Sequence, residues 1–517
     1  WDGDELTVHD CSQAMRTQAR LLAGFFGIPE EQVRVLAPYV GGGFGGKGQW
    51  RHQLLAAAAA RLAGRPVRIA LSREGVYRLV GGRAATEQRV AIGADADGRF
   101  EALIHTGTTA KTAHNFLAEP FIMSSGGLYT ARARKLEVRS VDLDMVSNTF
   151  MRAPGEAVGS FALESAVDEL AERIGIDPIE LRLRNEPDTD PSTGRPFSSR
   201  HLAEAYRAGA ERFGWHERDP RPGTRRDGEW LIGLGTAATS FPYIRFPGGA
   251  ARITLGRDGR ATVEIAAHEM GMGTATVQAQ VAADRLGLPL DRVTVAYGDS
   301  SFPGDIPAAG SQQTASAGAA VAAAHRELTG ELLKLAGEDS PLAGLTPDEV
   351  GTRDGGLSDL GDPGRWESYE SLLETAGRDE VSAEAAAPPP LEMASWSMHS
   401  FGALFCEARV SEVTGEIRVS RFLGSFDCGR ILNARTAASQ FRGGIVMGLG
   451  LALMEETLFD ERNGRVMNPS LAAYHVPAHM DVPEIDVIWT GIPDPHAPAG
   501  ARGIGEIGIT GVGAAVA

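Results

Sequence analysis

Chemistry in this chain would begin at its glycine-rich loops and the few ionisable residues set among them. Gly41-Gly-Gly-Phe-Gly-Gly-Lys47 has the spacing of a phosphate-binding loop, but Gly48 stands where the Mg²⁺-holding hydroxyl is required. The same stretch satisfies GxGxxG at Gly43, Gly45 and Gly48. With Glu74 closing a strand over Val67–Leu71, that layout would suit a dinucleotide-binding unit. Every reading shares one physical element, in which successive glycine N–H groups at a helix start cradle an anionic ligand. A second GxGxxG, Gly503, Gly505 and Gly508, follows Pro498-Ala-Gly-Ala-Arg502 and not a strand, so it lacks that context. It holds one carboxylate, Glu506. Burial against a bulky cofactor would raise such a group toward a useful general base, whereas the alternative is an ordinary turn glutamate.

The histidines offer less. His268-Glu269-Met-Gly271 has Met272 where a zinc-protease helix places its second histidine. His475 and His479 are four apart, but Pro477 between them spoils a helical metal pair. No Gly-x-Ser-x-Gly occurs. Cys11, Cys406 and Cys428 form no CxxC pair, which argues against a disulfide scaffold, a zinc site or an iron–sulfur chain.

Ser12–Gly27 reads as a helix ending at a glycine, followed by a strand at Val33–Leu36. A helix over Gln49–Leu62 and the strand Val67–Leu71 come next, and strands dominate from Glu87 to Asp144. Glu156–Ile174 is an amphipathic helix, with Leu163, Ala166, Val167, Leu170 and Ile174 on one face. Asn185–Arg200, rich in Asp, Pro and Ser, is the expected domain boundary, and a second αβ block starts near Leu231. The expected fold is α+β (mixed α/β), with domains at 1–190 and 191–517. An internal repeat supports two parts: Gly27-Ile-Pro-Glu-Glu-Gln-Val-Arg-Val35 matches Gly287-Leu-Pro-Leu-Asp-Arg-Val-Thr-Val295, and the same offset pairs Gln18-Ala19 with Gln278-Ala279. Two related units facing each other would leave a ligand cleft.

Composition narrows the class. The 517 residues hold 50 basic and 67 acidic side chains, and an excess of −17 argues against a nucleic-acid partner. Residues 337–380 carry 12 acids and three bases, so 337–390 is expected to be an acidic surface insertion. No apolar run approaches the ~20 residues of a bilayer span, so no membrane partner is expected. Glycine, at 64 residues, exceeds the usual ~7% and points to backbone geometry in loops. Trp1 at the start, and Gly511–Ala517 reading as a helix that begins, suggest that both ends are cut.

Six segments in order carry a resemblance: Gly41–Lys47, Met151-Arg-Ala-Pro-Gly-Glu156, Glu269-Met-Gly-Met-Gly273, Gly310-Ser-Gln-Gln-Thr-Ala-Ser316, Asp427-Cys-Gly-Arg…Asn433 and Gly503-Ile-Gly-Glu506. From Trp1 to Ala517 the chain resembles the molybdopterin-binding large subunit of the xanthine dehydrogenase/aldehyde oxidase family. The resemblance implies two elongated domains with a molybdenum cofactor between them. It implies that Gln13 hydrogen-bonds an oxo ligand of molybdenum and that Gly43-Phe44-Gly45 lies against the metal's apical ligand and the pterin. Gly271, Met272, Gly273, Thr314, Ala315, Ser316, Gln440 and Gly505 fall at cofactor-contacting positions; Met272 replaces the family's usual glutamine. Arg152 matches an active-site arginine, and Glu506 the catalytic base.

By the same resemblance, Glu506 takes a proton from a metal-bound hydroxyl, hydride passes to a sulfido ligand, and water supplies the oxygen. The absence of a cysteine in Met151–Pro154 argues against a carbon monoxide oxidiser. Gly48 and Pro154 depart from purine hydroxylases, and the Met-Arg-Ala-Pro-Gly loop is most similar to bacterial aldehyde oxidoreductases of the periplasmic type. The implied substrate is a small-molecule aldehyde, with an N-heterocycle second. The implied cofactor is the cytosine dinucleotide form, and the implied partners are an iron–sulfur small subunit with two [2Fe–2S] clusters and an FAD subunit. Two readings of other classes stand beside it: a NAD or FAD dehydrogenase built on Val33–Glu74, and a cofactor-free interaction paralogue.

Overall fold

A computed structural model describes residues 1–48, 51–115 and 117–517. The architecture is α+β, in two compact units. The first comprises Trp1–Gly43, Lys47–Ile69 and Ile244–Leu391, and the second Phe44–Gly46, Ala70–Tyr243 and Glu392–Ala517. Both units are discontinuous in sequence, and Asn185–Arg200 runs inside the second. That stretch is polar because it is internally bonded: the Asn185 side chain accepts from the Phe100 N–H at 2.7 Å and donates to the Gly98 and Leu181 carbonyls.

In the first unit the sequence repeat becomes a repeated βαβ motif. Leu6–His9, the helix Met15–Phe26 and Val33–Leu36 form one copy, with the two strands parallel. Ala261–Glu264, the helix Thr274–Leu286 and Val293–Ala296 form the other in the same way. Each helix ends at a left-handed glycine, Gly27 at φ +66° and Gly287 at φ +59°, as a C-terminal cap requires. The copies meet at equivalent positions. The Ala37 N–H donates to the Gly298 carbonyl at 2.7 Å, and a Cβ on Gly298 would stand 2.7 Å from the Pro38 Cα. Both copies lie in the first unit.

A four-stranded sheet ordered Val293–Ala296, Ala261–Glu264, Ala250–Gly256, Glu380–Ala386 carries this unit's core. The helix Gln313–Leu335 packs on it, burying Ala317, Val321 and Leu328 against Ile253, Leu255 and Val263. The acidic stretch is more than a solvated insertion. Its strands Val350–Arg353, Gly356–Asp359 and Trp366–Ser368 form a sheet, and Leu342, Leu357, Tyr369, Leu372 and Leu373 join the same core. Its acids occupy the positions between those apolar ones.

The expected strand Val67–Leu71 is absent, and Glu74 lies exposed in the first turn of the helix Arg73–Leu79, paired with Arg78. The helix expected from Gln49 runs over Arg51–Ala63; Gln49 and Trp50 lie outside the described residues.

The second unit is built on a five-stranded sheet in which Ile417–Asp427 pairs with His399–Ser411, and that strand with Trp230–Pro242. Phe401, Ala403 and Phe405 enter one core with Leu163, Val167 and Tyr206, while Leu404 and Cys406 enter another with Phe422, Phe441 and Ile445. Both faces of the strand are therefore covered, which explains its uninterrupted apolar run. The helix Glu156–Ile174 has the expected bounds, with Leu163, Val167 and Ala171 buried. A three-stranded sheet of Thr86–Ala94, Phe100–Lys111 and Ala133–Asp142 packs beside it.

Candidate active site

In the first unit the predicted site residues gather where helices begin. Gln13, just before the helix Met15–Phe26, bridges the backbones of Ala308 and Lys47. Its Nε2 donates to the Ala308 carbonyl at 2.6 Å, its Oε1 accepts from the Lys47 N–H at 3.0 Å, and its carbonyl accepts from the Ala308 N–H at 2.9 Å. A Cβ on Gly43 would stand 2.3 Å from Gln13 Oε1, so only glycine lets the loop pass this close. The Lys47 ammonium donates to the Val40 carbonyl. It clamps its own loop, which is a use of the lysine other than phosphate binding.

The loop before Thr274–Leu286 joins this group. His268 Nε2 accepts from the Met15 N–H at 3.0 Å and its Nδ1 faces the Ile306 carbonyl at 3.1 Å. Burial drives its pKa down to about 4, so the ring is neutral and acts as a staple. The Glu269 carboxylate accepts from the N–H groups of Gly271 at 2.8 Å, Gly273 at 3.0 Å and Ala275 at 3.2 Å. The N–H groups at the start of that helix are thus already satisfied by a carboxylate of their own loop. Met272 turns its sulfur toward the Met270 N–H at 3.4 Å. Gln313 bonds the His268 backbone and, at 2.8 Å, the Thr274 hydroxyl, which brings Thr314, Ala315 and the buried Ser316 to the same neighbourhood.

In the second unit Arg152 is the organiser. Its N–H donates to the Phe44 carbonyl at 2.8 Å. Its buried guanidinium donates to the Gly505 carbonyl at 2.6 Å, to the Gln440 carbonyl at 2.9 Å and toward the Met447 sulfur at 3.7 Å. Burial lowers its pKa to about 10, partly offset by Glu506, so it stays charged at neutral pH. Glu506 is half-buried, and its Oε1 accepts from the Ala153 N–H at 3.1 Å. Behind it the glycine loop presses on the helix Ala434–Leu453, where a Cβ on Gly444 would stand 2.6 Å from the Gly508 Cα. The Asp427–Asn433 motif supports this arrangement and does not line it. Asp427 pairs with the buried Arg502 at 2.6 Å, and Asn433 caps the helix that carries Gln440.

Two groups went unnoticed in the sequence. Arg83 donates to Glu119 at 2.9 Å and to the Arg152 carbonyl at 2.7 Å, while Glu119 accepts from the Gly155 N–H at 2.8 Å. They fasten the Met151–Glu156 loop. Isolated residues of this kind have no spacing signature. The backbone does mark these loops: of the five non-glycine residues with positive φ among the described residues, Phe44 (+54°), Ala153 (+55°) and Ser311 (+53°) each lie inside one of the six motifs. Such strain, of order 1–3 kcal/mol per residue, collects at functional sites.

Two models of the molybdopterin cofactor-binding domain match the chain, at residues 1–186 and 208–483. The aldehyde oxidoreductase molybdenum-binding subunit PaoC of Escherichia coli (strain K12) is 39% identical over the whole chain, which spans 69% of that protein. The putative xanthine dehydrogenase molybdenum-binding subunit XdhA of the same organism is 29% identical over the whole chain and 70% of its own length. In fold alone, the quinoline 2-oxidoreductase from Pseudomonas putida 86 superimposes with a TM-score of 0.88 at 24% identity, over 100% of this chain and 69% of that one. The dinucleotide-binding reading falls with its missing strand. The chain belongs to the molybdopterin-binding large subunits of the xanthine dehydrogenase/aldehyde oxidase family.

Proposed function

We propose that this molybdenum-hydroxylase subunit oxidises an aldehyde to a carboxylic acid, with water as the oxygen source and Glu506 as the base. The observation that carries the reading is the hold on Glu506, with its carboxylate fixed by the Ala153 N–H at 3.1 Å while Arg152 pins the same loop through the Gly505 carbonyl at 2.6 Å. A carboxylate so fixed takes the proton released as water-derived oxygen is added to the aldehyde carbon.

The residues present fit the cofactor. In the first unit Gly43 leaves no room for a Cβ beside Gln13, whereas Gly271, at φ +103°, has nothing within 4 Å of where one would stand. The candidate cofactor contacts in that unit are Gln13, Gly43, Gly271, Met272, Gly273, Thr314, Ala315 and Ser316; the second unit, taken by itself, offers Phe44, Gly45, Arg152, Gln440 and Gly505. Bound, the molybdenum cofactor supplies a two-electron acceptor and a metal that acidifies water. We assign its cytosine dinucleotide form. Cys406 and Cys428 are buried and unpaired, and no group of three His, Cys, Asp or Glu among the described residues could hold a metal. The relatives reported above are by name single molybdenum-binding subunits, which supports iron–sulfur and FAD partner subunits as the electron route.

The test is Glu506→Gln in the full-length protein assembled with its partners. Turnover should fall by roughly 10²–10⁴-fold, with molybdenum content and acid-released CMP unchanged. Normal turnover in the variant would sink the assignment of the base. A panel of aromatic aldehydes and N-heterocycles decides the substrate class.

A further inference from the structure

The peptide unit that holds Glu506 is itself gripped from behind. The Ala153 N–H donates to Glu506 Oε1 at 3.1 Å. The carbonyl of that same unit belongs to Arg152, and it accepts from Arg83 Nη2 at 2.7 Å. No cis peptide bond occurs among the described residues, and in a trans peptide the carbonyl and the N–H point to opposite sides. Arg83 therefore meets one side of a single amide, and Glu506 the other. Arg83 Nη1 also reaches the next carbonyl, that of Ala153, at 3.4 Å. The guanidinium thus fixes both flanks of a residue at φ +55°, a conformation that alanine keeps only where its surroundings hold it.

Arg83 is held in turn. Gly81, at φ +78°, passes so close to the Ser147 carbonyl that a Cβ would overlap it, and the Thr149 N–H donates to the Gly82 carbonyl at 2.9 Å. This close passage brings Arg83 beside the Met151–Glu156 loop. The fully buried Glu119 accepts through one oxygen from Arg83 Nη1 at 2.9 Å and from the Gly155 N–H at 2.8 Å. Its own N–H donates at 3.2 Å to the Thr109 hydroxyl, on the strand Phe100–Lys111. All of these residues lie in the second unit, so the loop is anchored to a strand and a glycine turn of its own unit.

We propose that Arg83 is a positioning residue for the base: through the Arg152–Ala153 amide it fixes the donor that orients the Glu506 carboxylate, and Glu119 keeps Arg83 in register. A flip of that amide would break the bonds on both of its sides. A guanidinium on the carbonyl also polarises the unit and strengthens its N–H as a donor.

The proposal rests on Glu506 being the base, and a mutant cycle on the assembled full-length enzyme separates the two. Arg83→Met together with Glu119→Gln removes the clamp without stranding a buried charge. In this variant kcat should fall by about 10–100-fold, with KM, molybdenum content and acid-released CMP unchanged. Amide hydrogen exchange over residues 151–156, read by mass spectrometry, should quicken. Combined with Glu506→Gln, the same pair should lower the residual kcat no further, because a displaced amide matters only to a carboxylate that takes the proton. An unchanged kcat or an unchanged exchange rate overturns the proposal. So does a loss that repeats in full on Glu506→Gln, or one that follows lost molybdenum. Full turnover in Glu506→Gln alone overturns the base, and the proposal with it. Should the paired variant fail to assemble, Arg83→Lys keeps a charge beside Glu119 but offers one nitrogen where two are engaged. It should show the same pattern at smaller amplitude, and a wild-type kcat there overturns the proposal equally.

Discussion

At the scale of single residues, the site loops depend on glycines that no side chain could replace. Gly45 has φ +99°, and a Cβ there would lie 2.5 Å from the Phe150 carbonyl oxygen. Gly45→Ala should therefore cost about 1–3 kcal/mol and lower molybdenum content, measured by thermal unfolding and metal analysis. Gly24 is the control: it sits exposed in the helix Met15–Phe26 with nothing within 4 Å of a Cβ. Gly24→Ala should leave metal content alone and stabilise by about 0.5–1 kcal/mol. Much at this scale was legible beforehand. Gly48 ruled against a phosphate loop, and Lys47 does bond its own backbone; Met272 spoiled the zinc motif, and His268 is a neutral staple. Arg83 and Glu119 stayed hidden because their partners are far away in sequence.

At the scale of elements, the helix Glu156–Ile174 shows what periodicity captures and what it overlooks. Its apolar stripe was visible, but Glu164 interrupts the buried face. That carboxylate accepts from the Tyr129 hydroxyl at 2.7 Å, from Arg182 Nε at 2.8 Å and from the Ala238 N–H at 2.6 Å. Arg182→Ala would strand a buried carboxylate and should destabilise the second unit by about 3–5 kcal/mol, read from denaturant unfolding. Replacing Glu164 and Arg182 together by apolar residues should cost clearly less. The strand expected at Val67–Leu71 failed for a related reason. Alternation of apolar and polar residues favours extended chain only where a neighbour completes the ladder, and Ile69 remains 38% exposed with none. The polar run Asn185–Arg200 falls where one family match ends, at 186, and before the next begins, at 208, and Asn185 itself is internally bonded, which composition alone does not reveal.

For the molecule as a whole, stability should depend on acid. Burial pushes His105, His268, His325 and His399 down to about 4, against ~6.5 in an unfolded chain. The unfolded state gains protons first as pH falls. The contribution is thus fully present above ~6.5 and is lost as pH falls toward 4, at about 1.4 kcal/mol per pH unit for each group. Thermal unfolding followed from about pH 7 to about pH 4.5 should show a steep fall, made shallower by His105→Asn. A flat profile would mean that these rings titrate normally.

The discontinuity of the first unit also sets an order in time. Its first βαβ copy lies within residues 1–69, but the copy it packs against lies beyond residue 244, so residues 70–243 are synthesised in between. At ~5–20 residues per second this interval lasts roughly 10–35 s. Throughout it, the apolar face that later meets the second copy leaves the ribosome unaccompanied, and residues 1–69 complete their packing only after their twin has been translated.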